Sequence, residues 1–154
     1  MKIPNQSGNY LIVGTLWQEQ TLSIKSFEKR ILPAGIYFYC GAAHGPGGLQ
    51  ARVQRHLNPQ TVRFWHFDYL KDYLDIREVW WQVDALNREC ESVHALADLP
   101  GASFPAAGFG ASDCRNRCPA HLVRFPADTT DLDTIFACLQ KSGLSYAREI
   151  LHSG

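Results

Sequence analysis

The sequence predicts an α/β domain of the α+β type, in which a small, mainly antiparallel β-sheet is flanked by α-helices. Three observations lead there. Short β-branched and aromatic runs recur at 9–17, 36–40, 76–83 and 121–125, each the length of a strand. Between them, apolar residues repeat at helical spacing in 49–57, 85–97 and 131–140. Apolar residues make up 45% of the 154 residues, enough for one ordinary core, so residues 1–154 read as a single domain.

The first run follows the breaker Ser7-Gly8 and is apolar throughout, as a buried strand is. Residues 21–27 alternate apolar and polar side chains, which suits a half-buried strand and predicts a hairpin with the first. In the strand at 36–40, Tyr37 and Tyr39 share one face. A glycine-rich loop then leads into the helix at 49–57. There Leu49 and Val53 form the apolar stripe, Arg52 and His56 flank it at (i, i+4), and Arg55 points towards water. The aromatic run 64–70 passes into a short helix near 70–74. Asp84 is placed to cap the helix at 85–97, Pro100 opens a long loop, and the last helix ends at Gly143.

Fifteen basic residues balance fifteen acidic ones, so a nucleic-acid site would have to come from local charge. No apolar run approaches 18 residues and the N-terminal residues do not read as a signal peptide; with five cysteines, an odd number, this predicts a cytoplasmic protein without membrane association, its thiols reduced or on a metal.

With these pieces placed, the chain resembles the GIY-YIG nuclease superfamily, and within it the small single-domain Uri-type branch. Gly8-Asn-Tyr10 stands at the family's first motif, Tyr39-Cys-Gly41 at its second, Leu49-x-x-Arg52-x-x-x-His56 at its helix motif, and Glu89 where the family keeps a metal-binding glutamate. Trp65-His-Phe-Asp-Tyr-Leu70, Glu89-Cys90, and Phe109-Gly-Ala-Ser-Asp-Cys114 with His121-Leu122 are similar to signatures of the branch. Asn9 and Cys40 replace isoleucines at what read as core positions, and the family's late asparagine has no counterpart unless Ser112-Asp113 stands there.

The resemblance implies a GIY-YIG-like fold and an endonuclease hydrolysing DNA with one magnesium or manganese ion. Tyr10 and Tyr39 would handle water and phosphate, Arg52 the developing charge, His56 proton transfer or the leaving oxygen, and Glu89 the metal. The DNA would be single-stranded, branched or damaged, and a DNA-repair protein is the expected partner. An unperturbed phenol titrates near pH 10, so a base role for tyrosine calls for a nearby cation. Tyr37 is a weaker candidate.

Several residues carry two readings. Gly47 and Gly48 precede a helix N-terminus, where free N–H groups would seat a phosphate, or else they serve positive φ angles. His44 in the same loop is a candidate substrate contact. His66 either lines the cleft or belongs to an aromatic wedge in which Asp68 pairs with a neighbouring base. Cys114, Cys118 and His121, with Cys90 as a fourth ligand, are a candidate structural zinc site, although their spacing is not that of a zinc finger. Against the enzyme stands a non-catalytic nucleic-acid-binding module of the same fold, with Trp65 or Trp80 as base-stacking platforms.

Overall fold

The structure, a computed structural model, describes residues 2–24, 27–59, 62–63, 65–111, 114 and 118–151, the side chains of 27 and 28 excepted. Along the chain run β1 (Gly8–Leu16), β2 (Gln20–Ile24), β3 (Phe27–Leu32), β4 (Gly35–Ala43), α1 (Gly48–Leu57), α2 (His66–Leu70), a 3₁₀ turn (Lys71–Tyr73), β5 (Asp75–Val83), α3 (Glu89–Ala97), β6 (Leu122–Phe125), α4 (Leu132–Lys141) and β7 (Ala147–Ile150). Five strands form one antiparallel sheet in the order β6-β4-β1-β5-β7, and β2 pairs with β3 in a second sheet. The predicted fold class is the observed one. Among the described residues no helix is long and apolar enough to cross a membrane.

The unbroken apolar run of β1 is explained by its place at the centre of the sheet, with β4 and β5 on its two edges and a core on each face. On one face Tyr10, Ile12, Tyr37 and Tyr39 pack with Leu49 and Val53 of α1 and with Phe67 and Leu70 of α2. On the other, Leu11, Val13, Phe38 and Trp80 pack with Val93 and Leu96 of α3 and with Ile135 and Leu139 of α4.

Both edges of β1 being taken, the hairpin predicted between the first two strands does not form. β2 turns onto β3 instead, with Thr21 opposite Ile31. The alternation read in the sequence is real, since Leu22 and Ile24 are buried, but it faces the α2 side of the core and not β1. The third helix begins at Glu89 rather than near residue 85. Asp84 does not cap it: its Oδ1 accepts from the Leu86 amide 2.9 Å away in a local turn, and Arg88 pairs with both Asp84 and Glu91.

That turn is held by Asn9. Its amide donates to the Leu86 carbonyl at 3.0 Å and accepts from the Arg88 amide at 2.9 Å, with the side chain fully buried. The sequence reading treated position 9 as core packing; it is a polar clamp with both ends satisfied. The short strand β7 was not anticipated. It pairs along β5, where Arg148 forks onto Glu78 at 2.7 and 3.0 Å.

Candidate functional site

In the β1–β4 ladder Tyr10 stands opposite Gly41 and Ile12 opposite Tyr39, so the two tyrosines lie on one face, one pleat apart. The ring of Tyr10 passes over Gly41: a Cβ at that position would lie 2.3 Å from Tyr10 Cζ. The glycine of Tyr39-Cys-Gly41 is therefore the space the first tyrosine occupies. The buried side of α1, Leu49, Val53 and His56, turns towards the same face. There the Tyr10 hydroxyl is hydrogen-bonded to His56 Nε2 at 2.7 Å. The His56 ring also meets Tyr39, Phe67 and Trp65, with centroids 5.6, 5.2 and 5.3 Å away. Arg52, one turn earlier, donates to the Ala42 carbonyl at 3.2 Å and lies with its guanidinium 4.5 Å from the centre of the Trp65 ring.

Burial dominates the electrostatics. It raises the Tyr10 phenol well above its ordinary value, nearby Tyr39 and Glu89 add to the rise, and Arg52 opposes it. Tyr39 is raised by burial and by Glu89, again against Arg52. Burial lowers His56 to about 3; Asp68 works against that shift, while Arg52, Arg55 and Lys71 reinforce it. At neutral pH the site is a phenol bonded to a neutral imidazole, with one guanidinium at its side. His56 Nδ1 is buried and makes no hydrogen bond.

Arg55 does not point into water as the helical wheel suggested. It forks onto Asp68, 3.2 Å to each oxygen, donates to the Val62 carbonyl at 3.0 Å, and lies 4.0 Å from the centre of the Trp65 ring. Asp68 is fully buried, accepts from the Trp65 amide at 2.9 Å, and has Lys71 Nζ at 3.7 Å. The wedge reading thus holds for Asp68, and Arg52 and Arg55 both lie against Trp65. His66 Nδ1 accepts from the Gly110 amide at 2.8 Å, which ties α2 to the long loop beside Tyr39. Trp80 is fully buried and donates to Glu78, so it offers no platform to a base. The Tyr37 hydroxyl is engaged with the Pro33 carbonyl at 2.6 Å.

The glycine loop does not present the free amides that the sequence suggested. Gly48, Leu49 and Gln50 donate to the carbonyls of Gly45, Gln6 and Pro4 at 3.1, 2.9 and 2.9 Å. Gly47 and Gly48 have φ angles of 80° and 58°, and a Cβ on Gly48 would lie 2.4 Å from the Gln6 carbonyl oxygen. Turn geometry and close approach to the N-terminal segment account for both. His44 is exposed on this loop. An open cleft of about 470 Å³, lined by residues including Trp81, Asp84, Arg88 and Ser145, opens elsewhere; Tyr10 does not line it.

Glu89 opens α3. Its Oε1 accepts from Asn87 at 2.9 Å and its Oε2 lies 3.0 Å from His121 Nδ1. Its charge reaches both phenols, since it raises Tyr10 and Tyr39 alike. A hard divalent ion would find one carboxylate here, about one-fifth exposed, and would rely on water and substrate for its other oxygens. Beyond Glu89, Cys90, Cys114, Cys118 and His121 place their ligand atoms within 4.8 Å of one another, a Cys₃His cluster that could bind a metal. Cys90 arrives from the helix and the others from the loop, which is why linear spacing did not resemble a finger. Ser112 and Asp113 lie outside the described residues.

Neither the curated proteins nor the solved structures contain a match to this chain. The model of one family, the domain of unknown function DUF123, matches residues 9–144, from β1 through α4 and so across every side chain of the site. The chain belongs to the DUF123 family.

Proposed function

We propose that this protein is a DNA endonuclease of the GIY-YIG type, Uri-like in its single small domain, working in the cytoplasm with one magnesium or manganese ion beside Glu89. The observation that carries the reading is the convergence of Tyr10, Tyr39, Arg52 and His56 from β1, β4 and α1 at one point of one sheet face. These are the positions at which the resemblance puts its catalytic groups.

The chemistry follows from the protonation states. Tyr10 is too buried to ionise alone, but its hydroxyl can take a proton from water while passing its own to His56 Nε2 across the 2.7 Å bond. The resulting hydroxide attacks phosphorus as the P–O bond on its far side breaks, and the departing oxygen takes a proton from solvent while the imidazolium of His56 gives its own back through Tyr10. The burial that makes His56 a poor base is offset when the phosphate brings negative charge beside it. Arg52 supplies a forked cation for the phosphate oxygens. When bound, the divalent ion would add Lewis-acid stabilisation of charge on those oxygens.

A second reading keeps the fold without the chemistry: a nucleic-acid-binding module delivering a partner repair protein to DNA. Burial favours it, since Tyr10 and His56 are each 1% exposed and Tyr39 7%. One experiment separates them. The protein is incubated with single-stranded, branched, damaged and duplex DNA in magnesium, manganese or chelator. Products that disappear with chelator and with Arg52→Ala support the enzyme; retention of DNA without products supports the module.

A further inference from the structure

Between α3 and β6, the described residues of 98–121 form turns and a bridge of Ser103 to Arg124, and they include buried Ala106, Phe109, Cys118 and Ala120. A loop of that length inside a packed domain needs an internal tie. Its backbone is stitched at Gly108 to Pro119 and His121 to Phe109, both at 2.7 Å and both spanning Cys114 and Cys118, and Cys40 of β4 donates to the His121 carbonyl at 2.9 Å.

We propose that Cys90, Cys114, Cys118 and His121 are the four ligands of one tetrahedral zinc ion, and that Glu89 is the carboxylate that positions His121 for it. Cys90 Sγ lies 3.2 Å from Cys114 Sγ and 3.8 Å from His121 Nε2, and is in contact with Cys118 Sγ. Zinc–sulfur bonds of about 2.3 Å in a tetrahedron set sulfurs roughly 3.8 Å apart, so the ion is admitted once the sulfurs of Cys90 and Cys118 part to that spacing. Three thiolates and an imidazole suit zinc and not magnesium or calcium.

A carboxylate also stands beside the other ring nitrogen of His121. His121 turns Nε2 to the sulfurs and Nδ1 to Glu89 Oε2 at 3.0 Å. A ligating imidazole held through its other nitrogen by a carboxylate is the arrangement that fixes tautomer and ring orientation at zinc sites. A Cys90–Cys118 disulfide would employ two of the four groups. Zinc employs all four and ties the first turn of α3, through the loop, to the start of β6. The ion here is distinct from the magnesium or manganese of the nuclease reading and does not depend on it.

The test uses wild-type protein purified without reductant and with air excluded. The expected result is one zinc per chain by elemental analysis, and reaction of all five cysteines with a thiol reagent after denaturation in chelator. Replacement by cobalt should give the absorption of a tetrahedral, thiolate-rich site. Glu89→Gln should keep the zinc but weaken it about 10- to 100-fold in chelator competition. Three reactive thiols with no zinc would establish the disulfide and overturn the proposal. Zinc affinity unchanged in Glu89→Gln would overturn the positioning role. None of these readouts uses DNA, so failure of the nuclease reading leaves them intact.

Discussion

The Tyr10 hydroxyl and His56 Nε2 stand 2.7 Å apart although 46 residues separate them in the chain. A sheet strand and the last turn of a helix meet there, and both side chains are buried.

Tyr10→Phe keeps the ring over Gly41 and removes only the hydroxyl. It should lower stability by about 1–2 kcal/mol, the cost of leaving buried Nε2 unpaired, and lower DNA cleavage by roughly 10²-fold or more if the phenol relays the proton. Chemical denaturation and single-turnover cleavage measure the two separately. Unchanged cleavage would remove Tyr10 from the chemistry.

Acid should destabilise the fold through His56. Its folded pKa, about 3, lies below the unfolded value near 6.5, so below pH 6.5 the unfolded chain binds the extra proton. Stability attributable to this group is complete above pH 6.5 and falls as pH drops towards 3, at up to about 1.4 kcal/mol per pH unit. Urea midpoints of wild type and His56→Gln between pH 7 and pH 4 should converge on acidification, because only the wild type carries this slope. Parallel curves would show that His56 is not held neutral.

Gly41→Ala places a methyl where the Tyr10 ring lies, 2.3 Å from Cζ. A loss of about 1–3 kcal/mol is expected from the overpacking. Because the two residues share the space, Tyr10→Ala should cost less in the Gly41→Ala background than in wild type. A double-mutant cycle by thermal denaturation gives the coupling directly; additive effects would mean that the ring does not occupy that position.

Asp68→Asn leaves Arg55 and Lys71 without their buried carboxylate. The expected loss is about 3–5 kcal/mol, discounted towards the lower figure because Arg55 is partly exposed. Asparagine keeps one acceptor oxygen for the three N–H groups of Trp65 and Arg55 that Asp68 now takes on two, so the Trp65 surroundings and its indole fluorescence should change along with the denaturation midpoint. A near-silent substitution would contradict the wedge role.

How much was legible beforehand depends on whether a feature is local. The apolar run at 9–17 and the helical stripe of Leu49 and Val53 are periodic signals, and they identified β1 and α1. The pairing of β2 with β3 was not legible, because the alternation of Leu22 and Ile24 says that one face is buried and not against what. The start of α3 was missed because Asp84 looks like a cap in sequence, whereas the tertiary bonds of Asn9 decide where the turn ends. At the site, Tyr10, Tyr39, Arg52 and His56 were named from ordered motifs and do converge. Arg55 was misjudged because a helical wheel cannot see Asp68, thirteen positions on. The glycine loop kept two readings open, since only the positions of Pro4 and Gln6 reveal that its amides are already engaged.

Asn9 adjoins Tyr10 by one peptide bond and grips the amide of Arg88, which adjoins Glu89 by another. Two peptide links and one hydrogen bond therefore connect the residue that carries the phenol to the residue that carries the carboxylate. Drawing β1 away from the first turn of α3 means breaking that bond, so the Asn9 side chain sets the spacing of the two backbones. A hydrocarbon at position 9 would fill the volume and lose both hydrogen bonds.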